Sequence, residues 1–355
     1  MLRRKHERKV GALGAFSLVT LLMVGCGGGS GGSSGSTPVN PGGQPIAAPP
    51  AVVQAKDQNT PVDPAIVSAD NTFGLNLLNT LMQGNSGNNT AIAPLSVAIA
   101  LQIAYNGAVG TTQQAMAQTL RLGDLSVPQL NGDNAALQAS LLDPDSKVDL
   151  TIANSLWVHL GAHSVAPTFV NTDQNYYGAE IGDLAGAPAD VNAWVDTQTN
   201  GLISSILPTQ AQVDYSKIVA ILVNVIYFKG QWASEFPLAQ TVSVDLSLPR
   251  FTTSFGASLQ QALTALGMGI AFDPVQGNLS GIYPGAFISD VEHKTVVEVN
   301  ETGTVAVGAT SVGIGTTAVQ DPINFAINHP FFYAIRDNTS GDLLFVGVLM
   351  NPGAG

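Results

Sequence analysis

Residues 217–229 (KIVAILVNVIYFK) form a near-continuous run of Ile, Val, Leu, Ala, Tyr and Phe. The run is too short to cross a bilayer as a helix, which takes about 20 apolar residues. It is also too rich in β-branched side chains to favour a helix at all. What remains is a strand buried on both faces, and such a strand demands packed layers above and below it. Asn224 stands at its centre. A buried amide left without a partner costs about 1–3 kcal/mol, so another polar group has to meet it.

The other elements follow from periodicity and punctuation. Asp63-Pro64 opens a helix with Ile66, Phe73, Leu77, Leu78 and Leu81 on one face, closed by residues 84–87. A short strand over 91–93 leads into a helix over 94–105, which Asn106-Gly107-Ala108 breaks. Thr111 with Gln114 three residues on reads as a capping box for a helix over 112–120. Residues 147–160 alternate as a long strand, and 188–200 form an amphipathic helix around Val191, Trp194 and Val195 with Gly201 closing it. A strand over 242–251, a helix over 259–266 and a strand over 287–299 come next. Two strands, 325–336 and 343–350, joined by a turn at 337–341, end the chain. Helices gather early and strands late around one long sheet, which is a mixed α/β unit over 65–355.

The segment after 287–299 reads two ways. From Thr302 to Gln320 it has no charge and no proline, and both faces of a period-two reading are small or apolar, as in a doubly buried strand. Gly303, Gly308, Gly313 and Gly315 equally suit an exposed loop. The pattern alone is also that of a glycine-interrupted strand followed by a turn.

At the other end, Arg3, Arg4, Lys5, Arg8 and Lys9 precede an uninterrupted apolar run over 11–25. That arrangement predicts a signal peptide over 1–25, outside the folded unit. The run ends Leu22-Met23-Val24-Gly25-Cys26, and Cys26 is the chain's one cysteine. This is similar to a bacterial lipobox, with Met23 where Leu is usual, and implies lipidation at Cys26. Residues 26–64, Gly/Ser-rich and then Pro-rich, make a tether. Removing 1–25 takes five of 13 Lys/Arg and one of 25 acidic residues, leaving a net charge of −16. Such an acidic chain excludes a nucleic-acid surface, and membrane contact is expected only through the lipid anchor.

Enzyme chemistry has little to stand on. Asn85-Ser86-Gly87 lacks a supporting histidine and aspartate, so a loop is expected there. His159 and His163 have helical metal spacing, but Gly161 lies between them and no third ligand is near, so no metal or cofactor is expected. Gly-x-Ser-x-Gly is spelled only inside the Gly/Ser tether, at 28–32 and 31–35, where no strand or helix is expected to make an elbow of it, and no phosphate-loop motif occurs.

Eight short motifs, in order from Asn71 to Pro352, resemble the serpin family. Ala93-Pro94-Leu95-Ser96 with Tyr105-Asn106-Gly107-Ala108 is similar to "SPLS…YNGA", and Asn154-Ser155-Leu156-Trp157 to "NALW". Asn192-Ala193-Trp194-Val195 with Thr199 and Gly201 is similar to "INxWVxxxTxGxI", and residues 224–232 to "NAIYFKGxW". His293-Lys294, Glu301-Thr302-Gly303-Thr304, His329-Pro330-Phe331-Phe332 and Leu344-Phe345-Val346-Gly347 complete the set.

The resemblance implies three β-sheets, about eight or nine helices and an exposed reactive-centre loop, with 217–228 as the central strand and 287–299 beside it. It implies no enzyme but a monomeric inhibitor that traps a serine protease, or a cysteine protease, as an acyl-enzyme while the cut loop inserts into the sheet. The hinge would comprise Glu301, Gly303, Thr304, Val305, Ala306, Val307, Gly308, Ala309 and Thr310, with Val305, Val307 and Gly308 departing from the usual residues. Counting forward from Gly303 puts the reactive bond at Thr317-Ala318. Counting back from His329 moves it toward Val319; Thr316 and Val319 flank it. Small uncharged residues there imply an elastase-like or subtilisin-like target outside the cytoplasm. Ser96, Asn224 and His293 match the family's shutter, with Ala93 where a second serine is usual. An internal segment expected after Glu235-Phe236 is missing near 241–242, so the fold is truncated. A serpin-fold lipoprotein that binds without trapping, or a decayed serpin, is the alternative.

Overall fold

A computed structural model of the chain describes residues 13–25, 61–85, 87–142, 148–159, 165–230, 244–247, 249–299 and 323–352. Strand β1 (Leu13–Gly25) precedes helix α1 (Pro64–Gly84), β2 (Thr90–Ile92), α2 (Pro94–Tyr105), α3 (Gly110–Thr119) and α4 (Val127–Leu141). Then come β3 (Val148–Val158), α5 (Pro167–Tyr177), β4 (Glu180–Asp183), α6 (Ala189–Gln198) and β5 (Ile218–Gly230). The last part holds β6 (Val244–Ser247), β7 (Phe251–Ser258), α7 (Gln260–Leu263), β8 (Ala286–Val299), β9 (Ile323–Ala326), β10 (Phe331–Arg336) and β11 (Leu343–Leu349). They build a six-stranded sheet in the order β4-β3-β5-β1-β8-β7, a three-stranded sheet β10-β11-β2 and a parallel pair β6-β9.

Strand β5 is the doubly buried strand that its composition demands. Ala220, Leu222 and Ile226 join the large core, while Ile221, Val223, Val225 and Tyr227 join a second core on the opposite face. The large core is built around α2, all 12 residues of which are buried. A helix apolar on every side can only live inside a protein. The second core holds Trp157, Leu184 and the apolar face of α6, Val191 and Val195.

Helix α1 starts where the sequence places it, with the Asp63 carboxylate accepting the Ala65 N–H at 2.8 Å. Asn71 ties the helix to the β10–β11 turn, donating to the Gly341 carbonyl and accepting from the Leu343 N–H at 2.8 Å. Beneath this join, Asp70 and Asp342 are fully buried, and Gln102 Nε2 donates to Asp70 Oδ1 at 2.8 Å. Burial, reinforced by the neighbouring Asp342 charge, raises the Asp70 carboxyl well above the usual carboxylate range. Burial likewise pushes Asp342 up to about 7.

Several expectations need correction. The resemblance sets 217–228 beside 287–299. In the structure β1 lies between β5 and β8 and pairs antiparallel with both. The expected strand over 242–251 is two strands in different sheets, divided at Pro249, which cannot donate to a ladder. The expected strand over 325–336 likewise divides at His329-Pro330. Thr111 and Gln114 make no capping box, since α3 starts at Gly110 without a side-chain cap; the box forms instead at Ser126 and Gln129 of α4. Helix 259–266 is α-helical only to Leu263, because Gly267 adopts φ +112° in the widened turn that follows. Seven α-helices and three sheets stand among the described residues. Between β5, which ends at Gly230, and β7, which starts at Phe251, the described residues hold one strand, β6. Among the described residues β10 pairs with β11 alone, whereas β11 is paired on both sides.

Two predictions follow from this packing. A Cβ on Gly107 would stand 2.0 Å from Ile282 Cγ1, on a carbonyl that already accepts from Gly281 N–H at 3.0 Å. Gly107→Ala should therefore cost about 1–3 kcal/mol in urea unfolding; a wild-type midpoint would show that this contact yields freely. A carboxyl whose pKa is higher in the fold than in the unfolded chain stabilises below its unfolded value, and that contribution is lost as pH rises through the folded one. The stability of the chain should fall between about pH 4 and 7, with a shallower fall in Asp342→Asn. Parallel stability–pH curves would contradict this.

Candidate functional site

The reactive-bond residues Thr317 and Ala318, their neighbours Thr316 and Val319, and the hinge residues Glu301, Gly303, Thr304, Val305, Ala306, Val307, Gly308, Ala309 and Thr310 lie outside the described residues. So does Cys26. What the structure defines is the sheet behind them, and β8 is the strand that leads into residue 300.

Asn224, at the centre of β5, is wholly buried and reaches two partners. The Ser96 hydroxyl, in the first turn of α2, donates to Asn224 Oδ1. Asn224 Nδ2 in turn donates to Asn154 Oδ1 on β3 at 2.7 Å. The pairing follows from register, since Asn154 is the Cα partner of Asn224. Asn154 is held from its other side, its Nδ2 donating to the Tyr177 carbonyl at 2.7 Å and to Gln138 Oε1 at 3.2 Å. A set of amides buried this deeply is stabilising only when its members are satisfied, and this one links α2, the sheet, α4 and α5.

His293, on β8, is equally buried. Its Nε2 accepts the Ala93 N–H at 3.4 Å, and Thr295 Oγ1 lies 2.7 Å from the same nitrogen. Ala93 has no side-chain oxygen for the ring to meet, so its backbone serves instead. The structure thus joins Ser96 to Asn224 directly and puts His293 in the same row of the sheet, with one strand between. That row reads Asn154, Asn224, Val19, His293, Ala257 across β3, β5, β1, β8 and β7.

The position Val19 occupies defines the site. Strand β1 pairs with β5 from Leu13 to Val24 and with β8 from Gly14 to Gly25. Both flanking strands run the same way, so the slot between them accepts a strand antiparallel to each. A segment turning back after β8 would run in that direction. Met23 shows that the occupant joins the core, for its side chain is completely buried there.

The polar side chains gathered here are bonded to one another and to the backbone of the sheet. Among the described residues no three His, Cys, Asp or Glu side chains gather to hold a metal. His159 Nε2 lies 3.3 Å from the Tyr215 carbonyl, and His163 is outside the described residues. Asn85 bonds locally to Thr90 and Asn88, as a loop residue does. The sequence reading missed Asn154 and Thr295. Asn154 had a visible mark, because it falls on the apolar phase of β3 with Leu150, Ile152 and Leu156.

The family model for serpin (serine protease inhibitor) matches residues 68–243 and 238–352. The chain belongs to the serpin family. Leukocyte elastase inhibitor of Homo sapiens is 27% identical over 381 aligned residues, covering 80% of this chain and 99% of the human protein. An uncharacterised serpin-like protein of Thermococcus kodakarensis is 26% identical over 430, covering 94% and 98%. Both alignments are longer than this 355-residue serpin, so its relatives carry residues without counterparts here. The native state of tengpin, a thermophilic serpin, shares the fold with a TM-score of 0.66 at 23% identity, covering 83% of this chain and 96% of that one. An Arabidopsis serpin in its native stressed conformation gives 0.66 at 22%, covering 82% and 100%.

Asn224→Ala strips partners from both Ser96 and Asn154, and should cost about 1–3 kcal/mol. Ser96→Ala should cost less, and the double variant should reveal coupling of about 1 kcal/mol. Strictly additive urea-unfolding energies would mean that the two side chains act independently.

Proposed function

We propose that this serpin inhibits serine proteases by cleavage of the loop at residues 316–319, acyl-enzyme formation and insertion of the cut loop between β5 and β8. The observation that carries the reading is the slot: two parallel strands, one of them continuous with the loop, flank a position that accepts an antiparallel strand. A dozen residues of added backbone pairing at a net ~0.5–1.5 kcal/mol each supply on the order of ten kcal/mol. A charge carried into the slot would oppose this by several kcal/mol, and residues 302–320 carry none.

The small, uncharged Thr317-Ala318 bond favours elastase-like or subtilisin-like targets, in keeping with the human relative's name, leukocyte elastase inhibitor. The basic head, apolar run and Cys26 support export and lipid anchoring to a bacterial envelope, with residues 26–64 as tether. A serpin-fold protein that binds without trapping is the second reading. It is favoured by Val305 and Val307 in the hinge and by the relatives' extra residues.

The chain starting at residue 26, mixed with elastase-like and subtilisin-like proteases, should form a complex that survives SDS. Loop cleavage with neither a complex nor a gain in thermal stability would overturn the inhibitory reading in favour of the second. Thr304→Arg should convert the inhibitor into a substrate, raising the number of molecules consumed per protease trapped at least several-fold. An unchanged stoichiometry would remove the hinge from the mechanism.

A further inference from the structure

We infer that residues 13–25 are an intramolecular plug for the slot: while attached, they complete the sheet and shut the loop out. That the loop competes for the slot rests on the function proposed above; that the plug fills it does not. Three observations converge. The segment pairs antiparallel with β5 from Leu13 to Val24 and with β8 from Gly14 to Gly25, with one register shift in each ladder next to Met23. It contains no charged residue, so no charge in it opposes desolvation. Met23 near its end is sealed in the large core.

Residues 13–25 and 302–320 are alternative occupants of one space, because a sheet position takes one strand. In the unprocessed chain the sheet is already complete, and cleavage of the loop has no slot to drive insertion. Hydrolysis of the Gly25–Cys26 bond by a signal-peptide endopeptidase changes that. Water adds to the Gly25 carbonyl carbon, the amide C–N bond breaks, and the free carboxylate and the Cys26 amine separate. The plug is then no longer tethered, and Asn224 and His293, one strand apart in the full sheet, are free to become neighbours. Trapping is thereby armed by processing and silent before it.

The test is hydrogen exchange on the full-length chain in detergent-free buffer, with no protease in any arm. In the wild-type chain the amides of residues 13–25 should be protected along with those of β5 and β8. Two substitutions attack the plug independently. Met23→Lys puts a charge at a buried position, and Thr20→Pro removes a backbone donor between Val223 and Glu292. Both should speed exchange along β5 and β8 by about tenfold or more, while β10 and β11 stay as in the wild type. A synthetic peptide of residues 13–25 should restore protection in either variant and leave the wild type unchanged. Free-chain exchange rates for residues 13–25 in the wild-type protein would overturn the inference, even if both variants failed to fold. So would variants that fold and exchange at wild-type rates along β5 and β8. A plug that passes in a chain that never traps a protease would sink the inhibitory reading alone.

Discussion

A strand in the middle of a sheet owes hydrogen bonds on two sides. Strands β5 and β8 each have one side met, by β3 and β7, and each presents a further row of N–H and C=O groups to the slot between them. Both strands lie against buried apolar residues, so water is a poor substitute for a strand partner. The slot must therefore close on itself or take a third strand. Every functional property argued for this serpin follows from that demand. The buried amides near its centre, Asn224 and Asn154, are a polar cost within the sheet, and Ser96 and Gln138 keep that cost low.

Two segments of the chain meet the specification, and they look alike for a physical reason. A slot walled by apolar layers admits an extended stretch with no charge and no proline, and the chain has such stretches at 13–25 and 302–320. Composition does not separate an export leader from a central strand, because a membrane and a protein core exclude charge alike. The basic residues ahead of position 11 favour the leader, whereas register and the burial of Met23 favour the strand. Both can hold for one chain at successive times, since a leader exists only until it is removed.

The sequence was legible wherever burial imposed a period. Helices α1 and α2 and strands β3, β5 and β8 lie close to where their patterns put them, and Asn224 announced its need for a partner. It was illegible where tertiary contacts overrode local preference. Helix α5 (PTFVNTDQNYY) is crowded with Asn, Asp and β-branched residues of low helix propensity, and the first half of α4 (VPQLNGDNAALQASL) with Asn, Asp and Gly. They are helical because Asn131, Gln138 and Tyr177 have buried partners to meet. Thr111/Gln114 and Ser126/Gln129 share one capping spelling. Only the second is free to form, since α3 begins at Gly110 and Thr112 accepts the Asn278 N–H from another segment.

The shortened chain bears on the same balance. A trap works by descending from a strained sheet to a fuller one, so what matters is the difference between the two states rather than the size of either. Residues that the relatives carry and this chain lacks bear on both states alike, as far as they belong to parts that do not change when the slot fills. In this protein the six-stranded sheet, α1, α2, α6 and both cores are present, and the elements flanking the slot are paired. A serpin can thus shed peripheral strands without touching the gradient that drives insertion, provided the slot is empty when the loop is cut. Under the inferred plug, that proviso falls on residues 13–25.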